Sequence, residues 1–179
     1  MHYQWLIGGA AGLLGAMAVG RWLAVRFGYL GDRVVDCPEN RRPAGVRLDA
    51  GHAALSGMVG APRLRLEACS RWPERAGCGQ ECLSQIEEAP ESCLVRRILT
   101  EWYRGKSCLY CSRPFGEIDW SVRKPALVSS DKVCVEWGQV PVDQLPATLQ
   151  TALPVCFACH TANTLVRERP DLVTDRSGR

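Results

Sequence analysis

The sequence predicts an α+β chain: a single N-terminal transmembrane helix followed by small cysteine-rich, metal-stapled modules. Three observations carry this expectation. An uncharged run, YQWLIGGAAGLLGAMAVG (residues 3–20), opens the chain. Ten of the 179 residues are cysteine, and most fall in close groups. Between the groups lie short stretches of strand and helix period, none long enough to build a large core alone. The expected divisions are an anchor (1–30), a first cysteine-rich module (31–105), a second (106–170) and a polar tail (171–179).

A helix needs about 20 apolar residues to cross the hydrocarbon core. The opening run nearly reaches that length, and Trp22, Leu23, Ala24 and Val25 extend it if Arg21 snorkels. The rival reading is a cleaved signal peptide with Ala16-Met17-Ala18 as its cleavage site. Its n-region would be only Met1-His2, without a basic residue. No basic residue precedes the run, whereas Arg21, Arg26, Arg33, Arg41 and Arg42 follow it. The positive-inside rule then predicts a bacterial-type inner (plasma) membrane protein, single-pass, with its N-terminus outside and its soluble part cytoplasmic. Gly8 and Gly12 form a small-xxx-small pair, which points to an integral-membrane protein partner packed on this helix.

Residues 1–31 hold two arginines and no acid, leaving 20 basic against 19 acidic residues in the remainder. That balance gives no electrostatic basis for binding nucleic acid.

Val34-Val35 and Val46-Arg47-Leu48 read as short strands joined by a turn containing Pro38 and Asn40. GHAALSGMVGAP (51–62) reads as a loop or short irregular helix, and Arg63-Leu64-Arg65-Leu66-Glu67 as a half-exposed strand. Short helices are expected at 80–88 and 91–104. In the second, Leu94, Val95, Ile98, Leu99 and Trp102 share one face and Gly105 supplies the stop. KPALV and KVCVEW read as a hairpin about Ser129-Ser130-Asp131. Residues 145–151 form another helix, and a last one starts at or just after Cys156, running to about 168.

The chemistry lies in the cysteines. Cys108 and Cys111 form a C-x-x-C pair before a Pro-Phe-Gly turn, and Cys156 and Cys159 form a second pair at a helix start. Two such pairs supply four thiolates, the complement of a tetrahedral zinc site. A knuckle, a hairpin and then C-x-x-C at a helix start resemble a zinc-ribbon or treble-clef module over about residues 106–170. The resemblance implies zinc on these four cysteines. The second pair also reads Cys156-x-x-Cys159-His160, the attachment signature of haem c. That alternative makes the protein an electron carrier, but it requires attachment outside the cytoplasm and leaves Cys108 and Cys111 unexplained.

Cys69, Cys78 and Cys82 form another group, with Cys78 and Cys82 spaced for one helix face. They predict a second metal site whose fourth ligand is either Cys37 or Cys93. Zinc and an iron–sulfur cluster compete for it, although the spacing from Cys69 to Cys93 matches neither the bacterial nor the plant-type ferredoxin spacing. Cys134 alternates within KVCVEW and reads as a buried strand residue.

No P-loop, dinucleotide fingerprint or H-E-x-x-H appears, and the three histidines are scattered. Catalysis therefore has no positive support. The expected function is that of a membrane-anchored, zinc-binding accessory or assembly subunit of a larger membrane complex, with two zinc ions. The alternative is electron transfer through haem c or an iron–sulfur cluster.

Overall fold

The computed structural model describes residues 2–129 and 133–170, with side chains from residue 12 onward. The chain divides into two compact units, Met1–Val95 and Arg96–Arg179.

The first unit opens with α1 (His2–Tyr29). Among the described residues, no helix is long and apolar enough to cross a membrane. The transmembrane anchor is therefore corrected, and with it the single-pass inner-membrane placement and its sidedness. The physical reason lies in the C-terminal half of α1, where two arginines interrupt the apolar sequence and the helix faces protein. Arg21 Nε donates to Gly57 O at 2.7 Å, and Arg21 Nη2 donates to Gly60 O at 3.2 Å. A Cβ on Gly57 would lie 3.3 Å from Val25 Cγ1, so this glycine lets α2 (Ala50–Gly57) approach α1 closely. The surroundings of Gly8 fall outside the described side chains. Gly12 has nothing within 4 Å of where a Cβ would stand.

A three-stranded antiparallel meander follows, in the order β1 (Asp32–Asp36), β2 (Pro43–Leu48), β3 (Leu66–Cys69). Alternation along β1 buries Arg33 and Val35. Val35, Ala44, Val46, Leu48 and Leu66 build a core that α3 (Leu83–Glu88) completes with Ile86. Arg33 is only 1% exposed. Its guanidinium donates to Tyr29 O at 2.9 Å, Gly31 O at 3.2 Å and Gly28 O at 3.0 Å, satisfying carbonyls that the end of α1 leaves open.

Residues 51–57 form a regular helix turn set, because Asp49 caps α2 by accepting from His52 N at 2.8 Å. The third strand starts at Leu66, later than its sequence pattern predicts. The helix expected from residue 91 starts instead at Val95. Cys93 O accepts from Val34 N at 2.8 Å, and Leu94 bridges to Arg33, so pairing with β1 claims the residues that helical period alone would assign to the helix.

In the second unit, α4 (Val95–Tyr103) ends at Gly105, which adopts φ +71° as a helix stop should. The sheet order is β5 (Cys134–Glu136), β4 (Ala126–Val128), β6 (Leu153–Val155), all antiparallel. The tip of the expected hairpin at Ser130-Asp131 and the tail 171–179 lie outside the described residues. Two 3-10 turns and α5 (Leu145–Thr151) lead into β6, and α6 (Phe157–Glu168) closes the unit.

The core of this unit is aromatic. Tyr103 is fully buried, with its ring 4.8 Å from those of Trp102 and Phe115. Its hydroxyl donates to Ala126 O at 2.6 Å, fastening α4 to the central strand. Trp102 Nε1 donates to Leu149 O at 2.9 Å and holds α5.

Candidate metal centre

Four thiols converge beside this sheet. The Sγ atoms of Cys108, Cys111, Cys156 and Cys159 all lie within 4.8 Å of one another, and Cys111 Sγ is 3.8 Å from Cys156 Sγ. Four sulfurs held at the zinc–thiolate distance of about 2.3 Å in a tetrahedron stand about 3.8 Å apart. The cluster therefore has the dimensions of a tetrathiolate metal site. Among the described residues it is the one group of three or more cysteine, histidine or acidic ligand atoms drawn this close.

Local structure explains the convergence. Ser107 bridges to Pro114, and Cys108 N donates to Arg113 O at 2.9 Å. Ser112 N returns to Cys108 O at 2.9 Å, and Ser112 takes φ 55° to close the turn. Cys108 and Cys111 therefore sit on a tight knuckle with their sulfurs on one side. Leu109 N donates to Pro154 O at 2.9 Å, tying this knuckle to β6. The strand then delivers Cys156 to the N-cap of α6, and Cys159 follows in the first helical turn.

The electrostatics fit a cation. Burial disfavours the Cys108 thiolate, but backbone N–H groups of Cys156, Cys111 and Tyr110 outweigh it and bring the thiol down to about 6. The Cys156 N–H stands 3.3 Å from Cys108 Sγ. Cys159 is pushed the other way, up to about 12, by burial and then by its crowding against Cys156, Cys111 and Cys108. Burial raises Cys156 as well. Four thiols this close resist ionising together, and a divalent cation among them removes that resistance.

His160 stands apart from the sulfurs. Its Nδ1 lies 3.2 Å from Cys134 Sγ and its Nε2 lies 3.4 Å from Glu136 Oε1, so both ring nitrogens face β5. Cys134 is half-buried rather than fully buried.

The remaining sequence candidates lie in the first unit. Cys37, Cys69, Cys78 and Cys82 line one cavity of about 250 Å³. Burial, followed by the neighbouring thiols of Cys69, Cys78 and Cys37, pushes Cys82 up to about 11. Cys93 is not on that cavity wall; its sulfur lies 3.8 Å from Gln85 O. Sequence reasoning did not find Arg71, whose Nη1 donates to Cys37 Sγ at 2.8 Å across 34 residues of chain. The backbone amides that support Cys108 are those a tight Cys-x-x-Cys turn offers its sulfurs, and here the Cys-x-x-Cys spacing was the signal.

No protein-family model, curated protein or solved structure matches this chain.

Proposed function

We propose that the chain is a zinc-binding accessory module in which the metal is structural. The carrying observation is the closed set of four thiols, Cys108, Cys111, Cys156 and Cys159, at tetrahedral spacing. Catalytic zinc keeps a position open for water or substrate, whereas four cysteine sulfurs fill every position. The ligands join the knuckle, β6 and α6, three pieces of a unit whose strands are only three residues long each. Metal binding then supplies folding free energy that so small a core does not. Zinc is favoured over haem c by the placement of all four sulfurs toward one point and of both His160 nitrogens toward β5.

As an accessory component, the module would be held by a partner protein through α1. Leu13, Leu14, Met17 and Val19 are exposed there, and Gly12 and Gly15 leave room for a second helix.

The test is metal analysis with a visible spectrum on the purified full chain. Bound zinc without a visible band supports the reading. A haem band that survives denaturation, or the broad absorption of an iron–sulfur cluster, overturns it.

A further inference from the structure

We propose that the first unit holds a metal ion of its own, a divalent thiophilic cation of the zinc class, on Cys37, Cys69, Cys78 and Cys82. This inference stands on the first unit alone and does not depend on the site in the second.

The argument begins with the backbone at Cys37. Cys37 N donates to Arg42 O at 2.9 Å, and Arg41 N returns to Cys37 O at 2.8 Å, with Arg41 at φ 54°. In the second unit, Cys108 N donates to Arg113 O and Ser112 N returns to Cys108 O, both at 2.9 Å, with Ser112 at φ 55°. The two turns share the same hydrogen bonds at the same offsets and the same left-handed residue. They also aim the same amides at sulfur. Glu39 and Asn40 donate from their backbones to Cys37, as Tyr110 and Cys111 do to Cys108. A non-glycine residue at positive φ is uncommon, so the turn is not a default conformation of the chain. Backbone donors on a thiolate are the support that a metal-bound sulfur requires.

The first turn thus has the form of a metal knuckle with one thiol instead of two, Asn40 standing where the second cysteine would be. The missing ligand is supplied elsewhere. Cys69 ends β3, opposite Val46 of β2, and Cys82 is buried just before α3. Both share the cavity wall with Cys37, and so does Cys78. The choice between Cys37 and Cys93 is settled by position, because Cys93 is off that wall and directed at Gln85 O.

Arg71 adds an independent indication. It donates to Cys37 Sγ at 2.8 Å and to Glu39 Oε2 at 2.9 Å, which keeps a fixed positive charge against the sulfur. A metal bound by four thiolates carries excess negative charge, and such a guanidinium offsets it. The sulfurs here are more widely spaced than those of the second unit. Cys78 is the exposed member and lies on the run of turns between β3 and α3, so it is the ligand that closes onto the ion.

The experiment is titration of the full, metal-stripped chain with zinc, and with cobalt(II) to read thiolate absorption. The wild type should take about two equivalents, with cobalt bands of tetrahedral thiolate coordination at both. Cys37→Ser should take one, and Cys93→Ser should keep two. Cys78→Ser should also take one; because Cys78 is exposed, its substitution leaves the core intact and separates ligand loss from misfolding. Cys156→Ser should lose the other ion and keep this one, so failure of either site is read separately. A wild type that binds a single equivalent, or Cys78→Ser and Cys37→Ser chains that both keep two, overturns the proposal.

Discussion

Cys156→Ser separates metal binding from folding. Cys156 is the N-cap of α6 and makes no side-chain capping hydrogen bond. Serine is among the preferred N-caps, so the metal-free variant gains up to about 1 kcal/mol of helix stability rather than losing any. The same change removes one of four thiolates from a cluster in which Cys156 Sγ stands 3.8 Å from Cys111 Sγ. Structural zinc contributes about 10–16 kcal/mol in small zinc-folded peptides. Divided among four ligands, one thiolate is worth about 2.5–4 kcal/mol, or roughly 100- to 1,000-fold in affinity. The assay is thermal unfolding of wild type and variant, each with and without zinc, alongside competition against a chromophoric chelator. Metal-free melting should be equal or higher in the variant, while the part of the zinc-induced rise that belongs to the second unit collapses. An unchanged zinc affinity in Cys156→Ser would refute the reasoning, because the thiol would then not be a ligand.

Further expectations concern the framework. Tyr103→Phe deletes a buried hydroxyl that donates to Ala126 O at 2.6 Å and should cost about 1–2 kcal/mol in denaturant unfolding. Arg33→Met removes the donors to Gly28 O, Tyr29 O and Gly31 O; about 3 kcal/mol should be lost, with faster amide exchange where α1 joins β1. Asp49→Ala should cost about 1 kcal/mol at neutral pH through loss of the α2 cap. The His52 amide and then the Arg65 guanidinium hold the Asp49 carboxyl below its ordinary 3.8. Its contribution is therefore complete above that value and lost as pH falls through the lower, folded one, so the unfolding curves of the wild type and of Asp49→Ala should converge in acid.

The site in the second unit was legible because its ligands come as two Cys-x-x-Cys pairs, a spacing that only has to form one turn and one helix start to bring the sulfurs together. Gly105 was equally readable, since a glycine after an apolar helical stripe has one common use. In the first unit the sequence offers only a lone cysteine, Cys37, at a strand end before a proline, with Asn40 where a pair would have its second thiol, so spacing alone leaves Cys37 and Cys93 both open. Spacing cannot reveal a turn whose evidence is the φ of Arg41 and the direction of two amides. The start of α4 was misplaced because strand pairing at Cys93 and Leu94 is a contact between distant residues, and local period is blind to it. The glycine-rich N-terminal run reads as a membrane anchor on its lack of charge. What that reading missed is that Arg21 and Gly57, 36 residues apart, form a packing contact, so the second half of α1 serves the fold of its own unit.

The most direct measurement is zinc K-edge X-ray absorption on the purified full chain. A first shell of four sulfurs at about 2.3 Å in the wild type, with one equivalent of zinc lost on Cys108→Ser and Cys156→Ser double substitution, is the expected result. A shell containing nitrogen or oxygen in place of sulfur, or no zinc retained at all, would contradict the account.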